Sequence, residues 1–117
     1  MAVASSCSGP APRIAFAPLV AYGPTKAALQ SLMLYLAAFF GPRGITINAV
    51  APGGLDDDFN ALLFHAMPPA RDYIIQNKAV SRIGMPKDVS GVIAFLYSPE
   101  VSFVSGATVN IDGGYHF

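Results

Sequence analysis

Between Val20 and Phe40 the chain carries one charge, Lys26, in an otherwise apolar stretch. Pro24 near its start lacks a backbone donor and has a fixed φ, which suits the first turn of a helix. Ala, Leu, Lys, Gln and Met then favour helix continuation. Gly41-Pro42-Arg43-Gly44 ends the run, with glycine directly after the last apolar residue and proline next. Leu29, Leu32, Leu36 and Phe40 mark one expected face, while Ala28, Met33, Ala37 and Phe39 leave little of the other side polar. A helix apolar nearly all round must be covered on more than one side. In 117 residues that implies a partner surface beyond the helix's own neighbours.

The flanking segments supply the rest of the pattern. Met1–Ser6 reads as a short strand, and prolines punctuate the loop that follows it. Ile45–Ala51 is β-branched and partly alternating, a second strand stopped by Pro52-Gly53-Gly54. Asp56-Asp57-Asp58 precede an apolar-periodic helix over 59–67, where acids satisfy free N–H groups and the helix dipole. Pro68-Pro69 breaks that helix, and a further short one spans 70–77. Pro86-Lys87-Asp88 opens a helix through Tyr97 with Val89, Val92, Ile93 and Leu96 as its stripe. A last strand, 107–111, ends at Asp112-Gly113-Gly114. Strands alternating with helices imply an α/β layer fold with parallel strands and crossover helices.

Composition narrows the function classes. The chain is 53% hydrophobic with a formal net charge of zero, which argues against disorder and against nucleic-acid binding through a basic patch. The longest apolar run contains Gln30 and Ser31 and is short of the ~20 residues needed to span a bilayer. Residues 1–8 share the small, Ser-rich, acid-free composition of transit peptides, but their apolar run is too short for a secretory signal. Cys7 is the only cysteine, so no intrachain disulfide forms, and a reducing, cytoplasmic setting is expected. One cysteine and two distant histidines make no metal constellation, and no G-x-S-x-G nucleophile motif is present. His65 reads as a packing residue and His116 as solvated.

Tyr22 and Lys26 stand one helical turn apart on one face. A phenol's pKa is ordinarily about 10. A neighbouring ammonium favours the phenolate, so such a tyrosine can exchange a proton with an alcohol or carbonyl oxygen nearer neutral pH. The competing reading is structural: Tyr–Lys pairs at this spacing are ordinary on helices, and the lysine stem can snorkel.

Four segments, taken together, bear on that choice. Tyr22-Gly23-Pro24-Thr25-Lys26 resembles the Y-x-x-x-K segment of the short-chain dehydrogenase/reductase family. Asn48-Ala49-Val50-Ala51-Pro52-Gly53 resembles its N-x-V-x-P-G strand and turn. Arg82-Ile83-Gly84-Met85-Pro86-Lys87-Asp88-Val89 resembles its R-x-G-x-P-x-D/E entry to the last large helix. Ser105–Gly114 resembles its closing strand and D-G-G turn.

The resemblance covers nearly the whole chain and implies the C-terminal portion of a Rossmann-like, doubly wound parallel sheet, so that residues 1–117 form a partial domain. It implies hydride transfer between NAD or NADP and a carbonyl or alcohol substrate. Tyr22 would be the acid/base; Lys26 would lower its pKa and hold the nicotinamide ribose. Pro52, Gly53 and Leu55 would lie against the nicotinamide, and 56–67 would belong to a mobile substrate loop. The family usually pairs the helix corresponding to 20–40 with its copy in a second subunit, so a homo-oligomer is expected.

The departures are as specific as the matches. No G-x-x-x-G-x-G turn for a pyrophosphate occurs in the 117 residues, and the N-A-G segment is missing. The chain is therefore expected to be a C-terminal half, arising by truncation or from an incomplete gene model. The alternative function is a non-catalytic fragment that acts only by association with itself or a full-length relative. The position about thirteen residues before the tyrosine, where the family places its serine, is Gly9. Ser6 is preferred as the catalytic serine, with Ser8 second and turn hydroxyls as the competing reading. Asp57 stands where the family often has threonine, and helix capping is its expected role.

Overall fold

A computed structural model describes residues 2–5 and 20–115, without the side chains of residues 2–5, Phe59 and Leu63. Three strands, β1 (Ala2–Ser5), β2 (Ile47–Pro52) and β3 (Thr108–Ile111), form one parallel sheet in the order β1-β2-β3. The register sets Ala2 against Ile47 and Ala49 against Thr108. Four α-helices accompany them among the described residues: α1 (Tyr22–Phe40), α2 (Asp58–Ala66), α3 (Pro68–Gln76) and α4 (Pro86–Leu96). This is the expected portion of a Rossmann-like sheet.

The central strand β2 is buried along its whole length, as a parallel strand between two neighbours should be. Edge strand β3 alternates between exposed and half-buried positions. Its two-residue period is the one legible in Ala107–Ile111.

Helix α1 packs on β2 through Met33, which lies with Ile47 and Ala49, and Leu36, Ala37, Phe40 and Ile45 close around them. The expected helix face is thereby corrected. Met33 is the buried residue of α1, at 2% exposure, whereas Leu32 is half exposed. An all-apolar helix carries no polar stripe to reveal its phase, and contact with β2 decides it. Leu34, Tyr35 and Phe39 remain exposed, the last two above 70%.

Helix α1 ends at Phe40 with Gly41 as its cap, as expected. Gly41 stays right-handed, and a 3-10 turn, Gly41–Arg43, extends the helix. The left-handed residue is Gly44, with φ +70°, whose N–H donates to the Gly41 carbonyl at 2.8 Å. Pro42 is accommodated early in that turn, where a missing N–H costs no helical bond. His65 is exposed near the end of α2 rather than packed in a core.

Asn48 is 1% exposed in the middle of β2. Its Nδ2 donates to the Val104 carbonyl at 2.9 Å, and its Oδ1 accepts from the Ala107 N–H at 3.0 Å. One amide thus satisfies both faces of the turn entering β3, which a buried polar group must do to avoid its desolvation cost.

Candidate active site

Three parallel strands end at one edge of the sheet, and β2 and β3 deliver Pro52–Leu55 and Asp112–Gly114 there. The C-terminal end of α1 meets Ile45, ahead of β2, through Phe40. Tyr22 lies eighteen residues back along the same helix, about 27 Å at 1.5 Å per residue. Helix α1 therefore returns Tyr22 and Lys26 toward the carboxyl edge. In open α/β sheets, ligands bind in the crevice outside that edge.

Tyr22 is the first residue of α1 and Pro24 the third. Pro24 thus occupies a position whose N–H has no intrahelical partner. The Thr25 N–H and hydroxyl both donate to the Ala21 carbonyl, at 3.1 and 2.6 Å, and fix the turn between Tyr22 and Lys26. Tyr22 and Lys26 are both half-buried. The Lys26 Nζ lies 5.3 Å from the centroid of the Tyr22 ring, within cation–π range. The pair read from spacing is therefore brought together, with the ammonium over the ring.

The second component is the turn after β2. The Gly53 N–H donates to the Ile111 carbonyl at 3.0 Å. A Cβ on Gly53 would meet Asp112 Cα at 2.8 Å, so this glycine lets the two strand ends approach. Leu55 pairs with Gly84 in an isolated parallel bridge: Gly84 N–H donates to the Gly54 carbonyl at 3.1 Å, and Asp56 N–H donates to the Gly84 carbonyl at 2.8 Å. A Cβ on Gly84 would sit 2.8 Å from the Leu55 side chain. Residues 56–83, including α2 and α3, thus form an arch whose two feet are joined. Asp57 caps α2 by accepting from the Asn60 N–H at 2.8 Å, its expected role.

The foot at Gly84 is braced by Arg82, which forms a bidentate pair with Asp88 at 2.7 and 3.0 Å. Asp88 also accepts from the Met85 N–H at 2.7 Å, capping α4. These bonds hold the Asp88 carboxyl well below its usual range, at about 2, with the Arg82 hydrogen bonds the largest cause.

Two residues escaped sequence reasoning. Asn48 carried a motif match without a visible reason. Lys78 gave no signal, yet it is 6% exposed, with its Nζ 3.2 Å from the Gly54 carbonyl. Burial lowers its pKa; the nearby Asp112 carboxylate opposes that shift and Arg82 adds to it. Ser6 and Ser8 lie outside the described residues.

The sequence pattern of the family described as enoyl-(acyl carrier protein) reductase matches residues 5–116. The chain belongs to the short-chain dehydrogenase/reductase family. It is 46% identical over 103 residues to the cyclic-di-GMP-binding biofilm dispersal mediator protein of Escherichia coli K12, covering 88% of this chain and 42% of that protein. The solved structure of BdcA in complex with NADPH superposes with a TM-score of 0.84 at 41% identity, over 97% of this chain and 45% of that one. The angucycline C-6 ketoreductase LanV with bound NADP gives 0.83 at 31% identity, over 96% and 42%. The chain therefore spans less than half the length of these relatives. No described helix is long and apolar enough to cross a membrane.

Proposed function

We propose that this chain carries the catalytic, C-terminal portion of an NAD(P)-dependent oxidoreductase that interconverts a carbonyl and an alcohol. The observation that carries the reading is the Tyr22–Lys26 pair at the carboxyl edge that also bears the Pro52–Leu55 turn. Support comes from relatives solved with NADPH or NADP, one of them a ketoreductase.

The residues present fit the nicotinamide end of a dinucleotide. Gly53, packed closely against Asp112, and Pro52 would lie against the nicotinamide, and Lys26 offers donors to ribose hydroxyls. The bound cofactor would supply or accept the hydride. Tyr22 gives its phenolic proton to the carbonyl oxygen in reduction and takes it back in oxidation. The Lys26 ammonium stabilises the phenolate between those events. Ser6 would hold the substrate oxygen, with Ser8 as the second candidate. Exposed Leu62 and Met67 on the arch favour an apolar or aromatic carbonyl compound. The test is a fluorescence titration of the 117-residue chain with NADPH and NADH. Saturable binding is the expected outcome, and no binding by demonstrably folded chain overturns the reading for this chain.

A second reading, action by association, is favoured by the exposed side of α1. Leu34, Tyr35 and Phe39 present an apolar surface to solvent, and such surfaces mark contact sites. A homo-oligomer through α1, or pairing with a full-length relative, would cover it. Sedimentation of wild type and Tyr35→Lys/Phe39→Lys distinguishes the cases. Association lost in the variant supports the reading, and a monomeric wild type refutes self-association.

A further inference from the structure

Lys78 is a nearly buried cation to which the proposed chemistry gives no task. It sits where three segments meet. Residues 78–80 run antiparallel to the C-terminal turn: Lys78 bridges Tyr115, Ala79 N–H donates to the Gly114 carbonyl at 3.0 Å, and Val80 N–H donates to the Gly113 carbonyl at 2.8 Å. Gly113 and Gly114 both have positive φ, +70° and +67°. A Cβ on Gly114 would meet the Ala79 Cβ at 2.9 Å, so the two segments lie in close contact. From this base the Lys78 side chain reaches the Gly54 carbonyl at 3.2 Å, an oxygen that also accepts from Gly84 N–H. Gly54 is the middle of the turn that follows Pro52-Gly53.

We propose that Lys78 is a positioning residue: its amine holds the Gly54 carbonyl, fixing the Pro52–Leu55 turn and joining the foot of the α2–α3 arch to the C-terminal turn. The cofactor-side consequence rests on the proposed function, whereas the clamp itself does not. A turn that moved by an ångström would misplace a nicotinamide against Tyr22, and reaction rates are steeply sensitive to such displacement. The charged groups acting on the amine are Asp112 from the C-terminal segment and Arg82 from the far foot of the arch, and Tyr115 pairs with the Lys78 backbone. Burial keeps the Tyr115 phenol above its usual range.

Opening the clamp returns Lys78 to water and to its ordinary pKa of 10.5. The closed site disfavours the ammonium, so closure strengthens as pH rises through the lowered value toward 10.5. The experiment is hydrogen exchange of the cofactor-free 117-residue chain, resolved at the Asp56 and Gly84 amides and corrected for intrinsic pH effects. Lys78→Met is expected to raise exchange there several-fold while leaving the Ala49 amide of β2 unchanged, and Lys78→Arg to restore much of the protection. Unchanged exchange in Lys78→Met overturns the proposal.

Should Lys78→Met unfold, the wild-type pH profile decides. Protection at the two amides that rises with pH supports the clamp, and a profile identical to that of Lys78→Arg overturns it. An NADPH titration of the same variants is run in parallel. A several-fold weaker Kd in Lys78→Met extends the clamp to the cofactor, and an unchanged Kd overturns that extension. Absence of NADPH binding in every variant would count against the proposed function alone, with the exchange data still deciding the clamp.

Discussion

Helix α1 presents Tyr22 and Lys26 with one buried side chain, Met33, along its length, whereas the Pro52–Leu55 turn is held from three directions. Asp112 lies against Gly53, Gly84 pairs with Leu55, and Lys78 holds the Gly54 carbonyl. The turn draws its geometry from segments within this chain. Tyr22 and Lys26 stand on a helix that packs on β2 through Met33 and leaves Leu34, Tyr35 and Phe39 exposed on its outer side. A site built this way would separate the proposed cofactor wall from the proposed proton-transfer pair.

The largest expected effect comes from breaking the proton-transfer side alone. Tyr22→Phe removes the phenolic proton while keeping the ring under Lys26. Turnover of an aryl ketone with NADPH should fall about 10²- to 10⁴-fold, the usual worth of a positioned acid/base. NADPH affinity and thermal melting should change little. Equal turnover in the variant would show that Tyr22 is not the acid/base.

The turn side breaks differently. Gly53→Ala places a Cβ 2.8 Å from backbone at Asp112, which cannot yield as a flexible side chain could. Overpacking of this kind costs about 1–3 kcal/mol. A lowered urea midpoint with an unchanged slope is expected, together with weakened NADPH binding. A stable variant that binds normally would mean that the close approach of the two strand ends is dispensable.

The contrast between the regions also explains what the sequence could convey. Tyr22 and Lys26 were legible because helical period alone places residues four apart on one face. Strands β2 and β3 were legible from β-branched runs bounded by Gly and Pro. Asp57 was legible as a cap because its bond to Asn60 is local. The phase of α1 was not, since apolar residues surround it and only contact with Ile47 and Ala49 selects Met33. Lys78 was illegible for a related reason. Its burial depends on pairing with Gly113–Tyr115, far along the chain, and on a carbonyl presented by Gly54. Local pattern carries no trace of either. The stop of α1 after Phe40 was legible from glycine followed by proline, whereas the left-handed conformation falls on Gly44, beyond the 3-10 turn.

The smallest expected effect sharpens the comparison at the arch's far foot. Asp88 is held at about 2, from an ordinary 3.8, chiefly by its hydrogen bonds with Arg82 and then by the Met85 N–H. A carboxyl with a depressed folded-state pKa stabilises fully above its unfolded value, and that contribution is lost as pH falls through the folded value. The pair is solvent-exposed, so its contribution is small. Asp88→Asn should therefore lower the urea midpoint modestly at pH 5 to 7, and its difference from wild type should shrink as pH falls from 3.8 toward 2. Exchange at the Gly84 amide, adjacent to this brace, should rise in the variant at neutral pH, while the Met33-centred packing of α1 on β2 keeps its protection. A variant whose deficit is the same at pH 2 and pH 7 would mean that the carboxylate's charge does not brace the arch, and that Gly84 is held by its backbone bonds and Lys78 alone.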